Sequence, residues 1–237
     1  MKILWISHDP IRTQLEQHHS SSGFWKEALL HQLGEHTNLD ISVCFPGIRQ
    51  QRINERSYQF QFPEKQFINA LPETTVEQLV QIIETVQPQL IHVHGTEIPY
   101  GLISQHTTIP VVISLQGFLS EWYSSVLGDI SLPVWKQLRT VKECIKRNGF
   151  PDMHAQWYQN GKTEIETVKK NTYFIGRTLF DEHFVRKHHP DAVYFNGHEM
   201  LRAPFYKTRW QLNGIKRFSI YTSSFTNPVK GFHVLLQ

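Results

Sequence analysis

The chain has 237 residues, with 24 Lys and Arg against 21 Asp and Glu, a formal charge of +3. So small an excess excludes nucleic-acid binding through bulk charge, while leaving room for a local basic patch. Hydrophobic residues at 40% and aromatics at 12% can build a core, which excludes a chain disordered as a whole.

From the N-terminus, Lys2 to Ser7 predicts a buried strand; its apolar run is too short for a signal peptide. Ser20 to Gly23 is a small-residue loop. Phe24 to Leu33 carries Trp25, Ala28, Leu29 and Leu33 at helical spacing, with Gly34 as the expected stop. Asp40 to Phe45 predicts a second strand. Tyr58, Phe60 and Phe62 alternate with polar residues, which predicts an exposed strand. Thr74 and Glu77 fit a capping box, opening a helix that Pro88 ends. Leu90–Gly95 and Pro110–Gly117 predict strands ending in glycine, with a short helix over Tyr100–Gln105 between them. Tyr173–Gly176 and Ala192–Phe195 predict two more strands flanking a helix over Leu179–Lys187.

This alternation predicts an α/β fold: a Rossmann-like, mostly parallel open sheet with helices on both faces. In such sheets ligands gather outside the carboxyl ends of the strands. Those ends carry His8, His94-Gly95-Thr96-Glu97, Gln116-Gly117, Arg177-Thr178 and His198-Glu199. Phe218–Thr222 then reads as a strand and Pro228–Leu236 as a helix. One strand and one helix cannot bury their own faces. The expected organisation is therefore a domain over 1–214 and the first strand and helix of a cut-off second domain over 215–237.

Taken in order, several segments resemble family 4 retaining glycosyltransferases of the two-Rossmann-domain GT-B architecture. These are Gly23 opening a helix, the run from Leu90 to Glu97, the run from Val112 to Gly117, Ile175-Gly176-Arg177-Thr178 with Asp181, and Pro228-Val229-Lys230-Gly231. The resemblance covers the whole chain, as the acceptor-side domain plus the start of the donor-side domain. It implies transfer of a sugar from a nucleotide-diphosphate sugar to a glycan or lipid-linked acceptor, with retained configuration, in polysaccharide biosynthesis. It implies neither a metal nor a cofactor beyond the donor itself. The chain departs from the family pattern at four places. Ser22-Gly23 replaces the usual paired glycines, Gln116 stands where many members have His, the Ser224-Phe225 region lacks an arginine, and Val229 precedes the lysine.

Each candidate residue has a second reading. Gly23 lets backbone approach a ligand beside a helix N-terminus, or is an ordinary turn glycine. Lys230, with Gly231, neutralises a leaving diphosphate in the family's pattern, or is a surface lysine. His92 and His94 share one side of their strand; either touches substrate or is a satisfied core or rim histidine. No zinc-type spacing joins the histidines. Glu97 binds sugar hydroxyls or acts as a base, or simply favours a helix dipole. Gln116 offers a donor and an acceptor to a sugar but cannot be a base. Arg177 contacts an anion or pairs with Asp181, and Glu199 faces the same cleft. Val134, Trp135, Leu138, Val141 and Ile145 form an apolar stripe among Lys136, Arg139, Lys142, Lys146 and Arg147, read as one basic amphipathic helix. The stripe packs on its own domain or rests on an anionic membrane.

Cys44 and Cys144 give neither a disulfide framework nor a zinc quartet, which suits a reducing cytosol. No window reaches the roughly 18 apolar residues of a membrane span. The expectation is a cytoplasmic protein, soluble or peripheral at the inner membrane face, and a 237-residue piece with little transferase activity alone. The rival expectation is a non-catalytic carbohydrate- or nucleotide-binding module. A Rossmann oxidoreductase is disfavoured, because no Gly-x-Gly-x-x-Gly follows the first strand.

Overall fold

The computed structural model describes residues 1–11, 24–62, 70–201 and 203–209, with isolated positions at 211, 218 and 231. Strand β1 (Lys2–Ile6) leads to helix α1 (Phe24–His36), then β2 (Asp40–Gly47), β3 (Gln51–Asn54), β4 (Ser57–Gln61) and α2 (Glu73–Val86). Strand β5 (Leu90–His94) is followed by a 3-10 helix (Pro99–His106) and β6 (Val111–Ser114). Then come α3 (Leu119–Trp122), a 3-10 turn (Tyr123–Leu127), α4 (Leu132–Gln137), α5 (Val141–Lys146) and the long α6 (Phe150–Lys169). Strand β7 (Tyr173–Gly176), α7 (Leu179–His188), β8 (Val193–Asn196) and α8 (Ala203–Lys207) complete the described elements.

The strands form one sheet in the order β3-β4-β2-β1-β5-β6-β7-β8. Every pairing is parallel except the β3–β4 hairpin. The register sets Ile6 against Cys44 and Val93, and His94 against Ser114. All parallel strands therefore end at one edge. The chain leaves β1 toward β2 and returns on the other side at β5, so the sheet order reverses between β1 and β5, where α/β crevices open. The fold is α/β and Rossmann-like, as the alternation of elements predicts.

Parallel strands are covered on both faces, which explains the uninterrupted apolar runs. Leu4 and Ile6 belong to the larger core, which α2, α6 and α7 cover through Leu79, Val168 and Phe184. Ile3 and Trp5 face the other way, under Leu29, Leu30 and Leu33 of α1. Each such side chain contributes about 1.5–3 kcal/mol of transfer free energy.

Several local expectations are corrected. Helix α1 runs through Gly34 to His36; an exposed glycine with open space around it costs only about 1 kcal/mol and does not stop a helix. Pro72, not Thr74, is the N-cap of α2, and no side chain caps it. Thr74 then lies inside the helix, where its hydroxyl cannot cap. Strand β4 is not exposed: Tyr58 and Phe60 are buried, because β4 extends the parallel sheet beyond β2 and α2 packs over it. The stretch from Val134 to Arg147 is not one helix. Thr140 breaks it, forming a capping box with Glu143 that starts α5. Helix α6 was not legible in the apolar pattern. The expected elements over 218–222 and 228–236, and the boundary at 215, lie outside the described residues, apart from the isolated positions.

Helix α6 approaches the α3 backbone at Gly161. A Cβ there would lie 2.6 Å from Ser120 Cα and 2.8 Å from its nitrogen. Alanine gains about 1 kcal/mol in helix propensity but must push a backbone aside. Gly161→Ala is expected to destabilise by about 1–2 kcal/mol net, read from denaturant unfolding; a stabilised variant would show that α3 yields freely.

Candidate functional site

Two neighbouring clusters occupy the carboxyl edge of the sheet. The first lies at the β1/β5 reversal. Lys26, in the first turn of α1, is buried, and its ammonium donates to Ser7 Oγ (2.8 Å) and Asp9 Oδ2 (3.0 Å), just beyond β1. His94, the last residue of β5, sits among aromatic rings: Trp5 at 4.6 Å, Trp25 at 5.6 Å and His92 at 4.2 Å between centroids. It is 5% exposed, and neither ring nitrogen has a hydrogen-bond partner among the described residues. Burial, then the nearby His92 and Lys26, holds its ring well below the usual imidazole range, so it is neutral at pH 7. His92 is pushed down to about 4 by burial, and its Nε2 meets Ser114 Oγ at 2.7 Å.

Gly95 takes a φ of +93°, a left-handed conformation that favours glycine. The turn brings the Glu97 carboxylate back over Gly95, where a Cβ would collide with Oε2. Burial raises the Glu97 pKa, against the opposing pull of the Glu97 and Thr96 backbone N–H groups and the charge of Lys26. A carboxyl shifted this way is suited to proton transfer nearer neutral pH than a free one. His8, at the mouth, meets the hydroxyl of Tyr100 at 3.2 Å.

The second cluster spans β6 to β8. The Arg177 guanidinium pairs with Glu199 Oε1 (2.5 Å) and donates to the backbone carbonyl of Gln116 (2.6 Å). Asp181 does not take the guanidinium. Its Oδ2 instead accepts the backbone N–H groups of Arg177 (2.7 Å) and Thr178 (3.0 Å), within the capping box that starts α7. The Gln116 side chain is half-buried and makes no hydrogen bond among the described residues. At Gly117 an added Cβ would collide with the Trp122 ring. A cavity of about 200 Å³ opens beside this cluster, between Trp25 and Leu29 of α1, the sheet residues His92 and Ile175, and the Arg177–Glu199 pair.

Both clusters are tied together from behind by Glu164 of α6, which is 1% exposed. Its carboxylate accepts from Thr96 Oγ1 (2.8 Å), Ser120 Oγ (2.7 Å) and Ser120 N–H (3.0 Å), so one buried group fixes the loops after β5 and β6.

Of the sequence candidates, His94, Gly95, Glu97, Gln116, Gly117, Arg177 and Glu199 share this edge. Gly23 and Lys230 lie outside the described residues, and Gly231 is described only as an isolated position with φ +72°. Ser7, Asp9, Lys26 and Glu164 were not singled out by sequence. Among the described residues no group of three or more His, Cys, Asp or Glu side chains could hold a metal ion. The site can hydrogen-bond hydroxyls and exchange a proton through Glu97, while its two cations, Lys26 and Arg177, are each held by a carboxylate.

No protein-family model matches the chain, and no curated protein does. Among solved structures it is similar to the UDP-GlcNAc 2-epimerase of Methanocaldococcus jannaschii, at 11% identity and a TM-score of 0.42 over 79% of this chain and 42% of that one. It is similar to the sucrose-phosphate synthase of Thermosynechococcus elongatus, at 10% identity and 0.48 over 82% and 47%. It is also similar to a UGT transferase of Siraitia grosvenorii in complex with UDP, at 12% and 0.39 over 79% and 44%. The chain thus spans less than half the length of these three structures.

Proposed function

We propose that this chain is the acceptor-side half of a metal-independent, retaining GT-B glycosyltransferase of the family 4 kind, acting in polysaccharide assembly on a glycan or lipid-linked acceptor. The observation that carries the reading is the meeting of His94, Glu97, Gln116 and Arg177 at one sheet edge, beside the β1/β5 reversal. The motif order set out from the sequence supports it, including Lys230-Gly231 as the diphosphate-gripping element of a second domain.

In this reading the acceptor hydroxyl lies at this edge, beside the Glu97 carboxylate that folds over Gly95 and the Trp122 ring that packs on Gly117. The bond from the donor's anomeric carbon to the diphosphate oxygen breaks, and its electron pair leaves on the diphosphate. The acceptor oxygen bonds the same carbon from the same face, and its proton passes to the departing phosphate oxygen. The positive charge of Lys230 stabilises the leaving group. Gln116 orients the donor sugar, and Glu97 holds acceptor hydroxyls or, in place of the phosphate oxygen, takes the acceptor proton. His94, neutral and with neither buried ring nitrogen bonded among the described residues, meets a substrate hydroxyl only once the aromatic rings around it part. Closure of two domains excludes water, so the 237-residue chain alone is expected to be inactive.

A thermal-shift panel of nucleotide sugars on the complete gene product, followed by assay of nucleoside diphosphate release, tests this. One donor is expected to raise Tm and to turn over, with Gln116→Ala lowering kcat/KM by about 10²-fold. No shift with any donor would overturn the reading. Binding without release would leave the non-catalytic sugar- or nucleotide-binding module, and an inverted product would remove the retaining assignment.

A further inference from the structure

The segment between β6 and β7 presents an apolar face that the described residues do not cover. Of the stripe Val134, Trp135, Leu138, Val141 and Ile145, only Trp135 turns inward. Its Nε1–H donates to the Leu127 carbonyl at 2.9 Å, and its ring lies 4.5 Å from Phe150. Arg139 is the second anchor, bound to Asp152 at 2.7 Å. With these two fixed against α6, the remaining four face solvent: Val134 is 43% exposed, Leu138 62%, Val141 77% and Ile145 78%.

The charge around this face has one sign. From 132 to 147 five cations stand against one carboxylate, a net of +4 in a chain whose total is +3. The single carboxylate, Glu143, is taken up by the Thr140 capping box. Lys136, Lys142, Lys146 and Arg147 are exposed around the apolar residues. A protein partner is ordinarily met by a rim of both signs. An apolar face with cations in such excess around it complements an anionic lipid surface, where apolar side chains enter the headgroup layer and lysines meet headgroup phosphates. Among the described residues no helix is long and apolar enough to cross a membrane.

We propose that the α4–α5 face docks on an anionic membrane surface, with Leu138, Val141 and Ile145 inserted and Lys136 and Lys142 at the headgroups. This goes beyond the transferase reading and does not depend on it. Flotation of the full chain with vesicles of phosphatidylcholine alone, and of phosphatidylcholine mixed with phosphatidylglycerol, tests it. The chain is expected to float with the mixed vesicles only, and less as salt rises. The double variant Lys136→Glu/Lys142→Glu is expected to lower the partition coefficient by at least about 25-fold, from roughly fivefold for each cation lost. Val141→Asp/Ile145→Asp is expected to abolish flotation. All four side chains are exposed, so the variants should keep the parental far-ultraviolet circular dichroism. Equal recovery with both vesicle types, no flotation, or flotation unchanged in both variants overturns the proposal. Self-association that Val141→Asp abolishes, without flotation, overturns it in favour of a second copy.

Discussion

Replacing Glu164 by alanine is expected to destabilise the protein by about 3 kcal/mol, while Glu164→Gln above about pH 7 leaves stability unchanged or raises it by up to about 2 kcal/mol. Alanine removes the acceptor for Ser120 N–H, Ser120 Oγ and Thr96 Oγ1 in a place water does not reach, and it leaves a void. Glutamine keeps the shape. Its oxygen can accept from Ser120, and its amide can donate to Thr96 Oγ1, whose proton then goes to the Gly117 carbonyl, already 3.3 Å away. What glutamine discards is a buried charge. Burial raises the Glu164 pKa from 4.5 to about 6, against the pull of its hydrogen bonds. The folded state thus holds this proton more tightly than the unfolded chain. The contribution is most favourable below 4.5 and is lost as pH rises through 6. The gap corresponds to about 2 kcal/mol, or about 4–8 °C in Tm for a chain of this size. His92 and His94 act in the opposite sense: held neutral by burial, they stabilise above 6.5 and lose that contribution as pH falls. Variant and parent must therefore be compared at each pH. The glutamine advantage is expected to vanish toward pH 4.5. A difference constant across that range would show that Glu164 is not a strained anion.

The sheet was legible because parallel strands buried on both faces read as continuous apolar runs, as in Leu4–Ile6 and Val111–Ile113. The glycines and polar residues that follow those runs marked the functional edge. Helix α6 was not legible for a physical reason: beyond Pro151 in its first turn, its buried residues are Asn160, Gly161, Thr163, Glu164, Thr167 and Val168, mostly small or polar. A face packed through small and hydrogen-bonding groups leaves no apolar period to find. The same feature hid Glu164, which holds the site loops from a helix that the pattern does not announce. Lys26 was hidden differently. A lysine in an amphipathic helix is ordinarily a solvated one, and only the fold brings Ser7 and Asp9 around it. The basic stripe is legible as composition but not as one helix, since the Thr140–Glu143 box is a local signal that cuts across it.

Asp9→Ala is expected to cost about 2–3 kcal/mol, clearly more than Lys26→Met at about 1 kcal/mol or less, although both delete the same ion pair. The asymmetry follows from exposure: the Lys26 side chain is 3% exposed and that of Asp9 43%. Without lysine, the carboxylate turns to water, and methionine fills the space of the aliphatic stem. Without aspartate, a buried ammonium keeps, among the described residues, only the Ser7 hydroxyl as a hydrogen-bond partner, at a helix N-terminus whose dipole opposes a positive charge. The cost falls below the full range for breaking a buried pair because water can enter from the Asp9 side. In a double-mutant cycle, adding Lys26→Met to Asp9→Ala should restore most of the lost stability, since the uncompensated charge goes with it. The same substitution should be felt in the site. Lys26 depresses the pKa of His94 and of Glu97, so Lys26→Met is expected to raise both, read by nuclear magnetic resonance titration. Under the transferase reading it also weakens binding of an anionic donor. Equal costs for the two single variants would mean that the ammonium is not held by Asp9, and the cluster at the β1/β5 reversal would lose its electrostatic centre.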